Sequence, residues 1–417
     1  MLQIVDVFYF DFCKAFDSVP HYRLLAKLER YGITGPTLQI IEDFLKDRSI
    51  RTVVRGNFSK AKAVRSGVPQ GSVLGPILFV LFINDLPDGL VNVSRLFADD
   101  LKLICNSSNA SSVQKDLSYL ERWEELWLLK FNANKCKVMH LDFNSNDNLS
   151  YVLDGTVLES IDSEKDLGLL TTCKLDWKES IYCCIKDANK MIAWITRNIV
   201  NKERNVMLNI YKTLVRPKLE YCVQIWNPVA CHGNWSIITE LEAVQRRFTR
   251  LINDIGLLPY SERLLALNLT TLAERRIRGD LIETFKIVSG LVDYGKSVFN
   301  LSRSGYNIVS KISYKGESLK VGKLRNSFIP ERVKSYWNTL PIAVKTSPNV
   351  DMFKMNLETY KRQCISSMES NFWHVSEVLL EKIEGPTYLA NKEKHNKYLR
   401  ENPYVAKKRL INLFSST

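Results

Sequence analysis

A chain of 417 residues with 45% hydrophobic content is long enough for two or three domains with real cores, which excludes a disordered tail. Its 58 Lys and Arg against 45 Asp and Glu leave a net charge of +13, which favours a polyanionic partner, nucleic acid or an anionic membrane surface. Nine cysteines, an odd number without repeated Cys-x-x-Cys spacing, argue against a secreted disulfide framework and for reduced thiols in an intracellular, soluble protein.

Ile4 to Phe10 is rich in β-branched and aromatic residues and ends at Asp11, which predicts a buried strand delivering a carboxylate at its C-terminal end. No basic opening precedes it, and Asp6 and Asp11 interrupt its apolar run, so no signal peptide is expected. Asp17, Ser18 and Pro20 open a helix with Leu24, Leu25, Leu28 and Tyr31 at helical spacing and Gly32 as its C-cap. A second helix follows Pro36 and carries Leu38, Ile41, Phe44 and Leu45 on one side. Arg51 to Val54 and Ser59 to Val64 read as short strands about a Gly56-Asn57 turn.

The loop Arg65 to Ser72 leads into the apolar stretch Val73 to Ile83. That stretch holds Gly75 and Pro76 and falls far short of the roughly 20 apolar residues of a membrane span, so it is expected as a core helix. Arg95 to Ala98 and Leu101 to Cys105 flank Asp99-Asp100, placing two acids at a hairpin tip. Val113, Leu117, Leu120, Trp123 and Trp127 make a core-facing helical stripe. Tyr151 to Leu153 and Thr156 to Leu158 bracket Asp154-Gly155, a type I′ hairpin signal. The pattern is α+β, an antiparallel sheet covered by helices, turning mainly helical from about Asp176. Between Lys174 and Lys218, ten Lys and Arg against four Asp and Glu concentrate the basic surface. Gly, Ser and Asn cluster at 290–304, where a further boundary is expected.

Asp11 at a strand end and Asp99 and Asp100 at a hairpin tip can converge on one sheet edge. Two divalent ions ~3.5–4 Å apart at such a site activate an attacking oxygen and stabilise a leaving one. Oxygen-only ligation suits Mg²⁺. Taken singly, each acid has a plainer alternative: Asp-Asp pairs are frequent in turns, and Asp17 can cap a helix.

The ordered set of motifs decides between them. Asp11 to His21 (DFCKAFDSVPH) resembles the first palm motif of LINE reverse transcriptases, and Ser66 to Pro76 (SGVPQGSVLGP) with Ile83-Asn84-Asp85-Leu86 resembles the second. Phe97-Ala98-Asp99-Asp100 resembles the third, with phenylalanine where tyrosine is frequent; Asn132 to Cys136 and Lys165-Asp166-Leu167-Gly168 resemble the next two. Leu214 to Cys222, Val244-Gln245-Arg246-Arg247 and Trp337 to Pro341 extend the similarity to the jockey-like group of non-LTR retrotransposons, over most of the chain to about residue 360.

The resemblance implies a right-hand polymerase: palm with partial fingers over 1–175, a helical thumb-like region over 176–290, and a C-terminal region over 291–417 without an assigned role. It implies an RNA-directed DNA polymerase using two Mg²⁺ ions, with an RNA template, a DNA primer and dNTPs as partners and no membrane. Asp11, Asp99 and Asp100 would be the metal carboxylates, Asp11 and Asp99 foremost. Phe16 would be the steric gate against a ribose 2′-OH, or else a core aromatic. Gln70 and Gly71 would lie near the incoming nucleotide and template. Lys135 would stabilise departing pyrophosphate, or else be a solvated lysine. Leu167-Gly168 would belong to a primer grip, or else form a buried turn. Lys186, Lys190, Arg197, Lys202 and Arg204 would track the duplex backbone, or else form a solvated face.

Family members carry fingers ahead of this point, so the chain is expected to be truncated at the start of the palm, with Arg51, Arg55, Lys60 and Lys62 in the remaining finger-like hairpin. Any endonuclease function is expected from sequence outside it. Neither a zinc knuckle nor an RNase H constellation is evident. The alternatives are an inactive remnant that only binds nucleic acid and a maturase-like RNA-binding protein.

Overall fold

A computed structural model describes residues 5–106, 110–141, 150–228, 234–292, 299–302, 304–309, 328–367 and 374–385. The chain divides into two compact units, 1–176 and 177–417.

In the first unit, among the described residues, five strands form one sheet: β1 (Val5–Phe10), β2 (Val93–Phe97), β3 (Asp100–Asn106), β4 (Lys137–Leu141) and β5 (Glu159–Ser160), in the order β5-β4-β1-β3-β2. All neighbours are antiparallel except β5 on β4. The register pairs Phe8 with Leu103 and Phe10 with Leu101, so alternate side chains form one apolar face. Leu24, Leu28, Phe79, Phe82, Val113, Leu117, Leu120 and Trp123 join it in a single core. Each such side chain contributes roughly 1.5–3 kcal/mol by leaving water. The opposite face carries Tyr9, Lys102 and Lys137. This is the expected α+β arrangement, with the helices supplying one side of the sheet.

Among the polar side chains buried in this unit, Asp6 and Lys27 each have partners. Asp6 is fully buried and accepts from Tyr151 Oη at 2.5 Å, with His140 Nδ1 at 2.8 Å from its other oxygen. Lys27 bonds Asp85 at 2.5 Å and the Phe82 carbonyl, and its ammonium lies 3.7 Å from the Trp127 ring centroid. Burial holds that ammonium below its ordinary pKa, with Asp85 pulling the other way.

Several elements begin elsewhere than expected. A one-turn helix, Ala15–Ser18, holds Asp17, and the next helix, His21–Arg30, starts only after Pro20. In the finger-like hairpin Val54 pairs with Asn57, so the turn is Arg55-Gly56, one residue earlier than Gly56-Asn57. Both turn residues have positive φ, +49° and +82°, as a type I′ turn requires. Phe97 likewise pairs with Asp100, which makes Ala98-Asp99 the turn and Asp100 the first residue of β3. Asp154-Gly155 forms the expected turn, with φ of +50° and +71°.

The second unit is helical in its described residues. Its core joins Ile277, Leu281 and Phe285 of the Leu272–Val288 helix to Val333, Trp337, Phe353 and Leu357, so packing continues across residue 290. No helix among the described residues is long and apolar enough to cross a membrane.

Candidate active site

β1 delivers Asp11 one residue beyond the Phe10–Leu101 pair, and the residue before Leu101 is Asp100, so the two carboxylates leave neighbouring strands at the same end of the sheet. Asp99 stands beside them in the turn. Burial, then the charges of Asp99 and Asp11, push the Asp100 carboxyl above its ordinary pKa. The three acids thus share one electrostatic neighbourhood.

The backbone around Asp11 holds a second segment in place. The Asp11 carbonyl accepts the Asn132 N–H at 2.7 Å, Cys13 N–H donates to the Lys130 carbonyl at 2.7 Å, and Phe12 bridges Phe131. The turn from Asn132 to Lys135 therefore reaches the carboxylate, and Lys135 Nζ lies 3.3 Å from Asp11 Oδ2. That contact lacks hydrogen-bond geometry: Oδ2 is shielded from solvent and has no hydrogen-bond partner. A buried acceptor without a donor suits a cation, and an all-carboxylate set suits a hard one. Among the described residues no three acidic, His or Cys side chains close to ligating distance.

Phe16 is half-buried and stacks on Phe79 with ring centroids 4.5 Å apart. Its carbonyl accepts Val68 N–H at 2.7 Å, the Val19 carbonyl accepts Gly67 N–H at 2.8 Å, and Ser66 Oγ donates to the Asp17 carbonyl at 2.9 Å. The loop carrying Gln70 and Gly71 is thus docked on the turn carrying Phe16. Gln70 Nε2 donates to Asp17 Oδ1 at 3.0 Å, while Gly71, at φ +84°, faces open space.

Leu167 and Gly168 form the turn of a hairpin, Ser163–Asp166 with Leu169–Thr172. Lys102 of β3 pairs with Asp166, and Lys137 of β4 pairs with Glu164 at 2.8 Å. Two ion pairs therefore join this hairpin to the polar face of the sheet.

The basic residues lie in the second unit. Lys186, Lys190 and Arg197 are exposed on the Lys178–Asn198 helix, Arg204 is exposed and Lys202 is half-buried. Lys190 is partly offset by Asp187 at 3.1 Å. Arg197 and Arg247 border a groove of about 400 Å³, and Arg247 donates to Asn189 Oδ1 at 2.7 Å.

Sequence reasoning did not assign a role to Gly67, His21 or Arg48. Gly67 has φ +88°, and a Cβ there would sit 2.6 Å from the Asp17 backbone. Its carbonyl is held by Arg48 Nη2 at 2.8 Å and lies 2.9 Å from His21 Nε2. Gly67 and His21 stand inside the quoted motifs, but only the folded contact shows what they do. Gln245, in the Val244–Arg247 motif, is fully buried and bonds Tyr211, Tyr260 and the Thr270 carbonyl, so it braces the helical unit.

Residues 7–181 match the family model described as reverse transcriptase (RNA-dependent DNA polymerase). The chain is 28% identical over 270 residues to the probable RNA-directed DNA polymerase from transposon BS of Drosophila melanogaster, covering 60% of this chain and 29% of that protein. It is 28% identical over 255 residues to the RNA-directed DNA polymerase from mobile element jockey of the same species, covering 57% and 28%. The chain thus spans less than a third of these relatives. An apo telomerase structure from Candida tropicalis aligns at TM-score 0.36 and 12% identity, over 60% of this chain and 42% of that one. Residues 7–181, which hold the sheet, the docked loops and the three acids, thus match the reverse transcriptase family model, and the chain is similar to the RNA-directed DNA polymerases of jockey-like mobile elements.

Proposed function

We propose that this chain is the polymerase portion of an RNA-directed DNA polymerase that adds deoxynucleotides to a DNA primer on an RNA template. The observation that carries this reading is the meeting of Asp11 with Asp100 and Asp99 at one sheet end, with a buried Asp11 oxygen lacking a hydrogen-bond donor. The three carboxylates would hold two Mg²⁺ ions, which when bound lower the charge barrier between the primer 3′-oxygen and the α-phosphorus. The new bond joins that oxygen to the α-phosphorus, the bond to the bridging oxygen breaks, and pyrophosphate departs.

The protein's own groups position this exchange. Phe16, braced by Phe79, would place an edge under the sugar and exclude a 2′-OH. Lys135, on its tight turn, would offset charge on the departing pyrophosphate. Gln70 and Gly71 would line the template side, Gly71 by letting backbone come close. Helices of 176–290 would act as a thumb, with Lys186, Lys190, Arg197, Lys202 and Arg204 toward phosphate. The eight described cysteines are unpaired thiols, which suits an intracellular site of action.

The test is Mg²⁺-dependent dNTP incorporation on a primed RNA template. Asp99→Asn should lower the rate roughly 10²–10³-fold, the scale for losing one preorganised charge-stabilising group, while duplex affinity holds. Phe16→Val should raise ribonucleotide use relative to deoxynucleotide use. Undiminished extension by Asp99→Asn would overturn the reading.

A further inference from the structure

In the second unit, far along the chain from the acids, the Leu272–Val288 helix places Arg276 in the interior at 1% exposure. Its Nε donates to Asn227 Oδ1 at 3.1 Å, but neither Nη1 nor Nη2 has a hydrogen-bond partner, and both are shielded from solvent. A buried guanidinium with two idle nitrogens is costly: each lost charged hydrogen bond forfeits the water it gave up. The arginine lines a small cavity of about 10 Å³ together with Asn227, Asp280, Arg332 and Tyr336. That is room for one water-sized particle or a monatomic ion, and too little for phosphate.

The lining is rich in donors and poor in free acceptors. Asp280 accepts from Arg332 through both oxygens, at 2.6 and 2.9 Å, and from Asn227 Nδ2 at 2.7 Å. Arg276 and Arg332 line the cavity with one carboxylate, Asp280, which is already paired with Arg332. The buried Glu242 acts on Arg276 electrostatically, but its oxygens are taken by Tyr260 Oη and the Leu272 N–H. A water needs acceptors for its own protons as well as donors. An anion needs only the donors that stand idle.

We propose that this cavity binds a single monatomic anion, chloride in the cell, held by the two free nitrogens of Arg276. The ion satisfies the idle donors of Arg276 on the Leu272–Val288 helix, beside the Ile329–Thr339 helix that carries Arg332 and the segment that carries Asn227. The helical unit then has halide-linked stability, independent of any nucleic acid.

Two measurements on the full chain test this. Crystals in sodium bromide should show an anomalous difference peak beside the Arg276 guanidinium; density there without an anomalous signal would mean an ordered water and overturn the proposal. In chloride–gluconate mixtures at constant ionic strength, the unfolding equilibrium constant should fall about tenfold for each tenfold rise in halide above the dissociation constant. Arg276→Met should abolish that dependence, and Arg250→Met, at an exposed position, should retain it. Equal halide dependence in both variants would also overturn it. If Arg276→Met does not fold, the bromide map on the unaltered chain decides alone.

Discussion

Lys135 Nζ lies 3.3 Å from Asp11 Oδ2, so this lysine is paired with the carboxylate proposed to hold metal. Metal and lysine would compete for one oxygen. Lys135→Met should therefore raise the apparent affinity for Mg²⁺ a few-fold, since two positive charges no longer share the site. It should also slow nucleotide addition by roughly 10²-fold, the lower end for a lost charge-stabilising group. Metal titration by calorimetry and single-turnover extension separate the effects; a lower Mg²⁺ affinity would show the lysine to be a support of the metal site.

The Asp100 carboxyl gives a pH test. Its pKa is raised by burial and by Asp99 and Asp11, so the folded state binds this proton more tightly than the unfolded state. Stability is then lost as pH rises through the interval from the ordinary value of 3.8 to the raised one, and the loss is complete above it. Asp100→Asn should raise the melting temperature at neutral pH, with the gain vanishing below the ordinary carboxylate value. A gain of equal size at both ends would assign the effect to packing.

The hairpin of Leu167-Gly168 should depend on its two ion pairs. A double-mutant cycle on Lys102→Met and Asp166→Asn should give a coupling of about 0.5–1 kcal/mol, at the upper end for pairs retaining some solvent access. If the hairpin grips the primer, the same changes should raise the KM for primer more than they lower kcat. An unchanged primer KM with a measured coupling would leave the pairs a purely structural role.

Duplex binding should weaken with salt through the exposed bases of the second unit. Lys190 is already partly offset by Asp187, so neutralising Lys186, Lys190 and Arg197 together should remove about two phosphate contacts. At about −0.9 per contact on B-DNA, the log–log salt slope should flatten by roughly two units. An identical slope in the triple variant would turn this face away from phosphate.

The sequence carried local chemistry well and distant partnership poorly. Asp154-Gly155 announced its turn because left-handed backbone at both positions selects such residues, and Val113 to Trp123 announced its buried face by spacing. Asp6 looked only like a break in an apolar run. Its partners, His140 and Tyr151, lie far along the chain, and no local period reports a pair set by strand register. The same holds for Lys27, whose buried charge is matched by Asp85 and aromatic faces, and for Arg55, which occupies a left-handed turn position where glycine or asparagine is usual.

Gly67 has a consequence for how this protein tolerates change. Any other side chain there meets both a left-handed backbone and the main chain of Asp17, so the loop would have to lift from the turn that carries Phe16. Alanine, the mildest replacement at most surface sites, is here no milder than a large residue, because the clash begins at the first carbon. In a saturation-mutagenesis library sorted for extension, position 67 should behave as all-or-none. Neighbouring Gly71, with open space around it, should grade its losses by backbone preference alone.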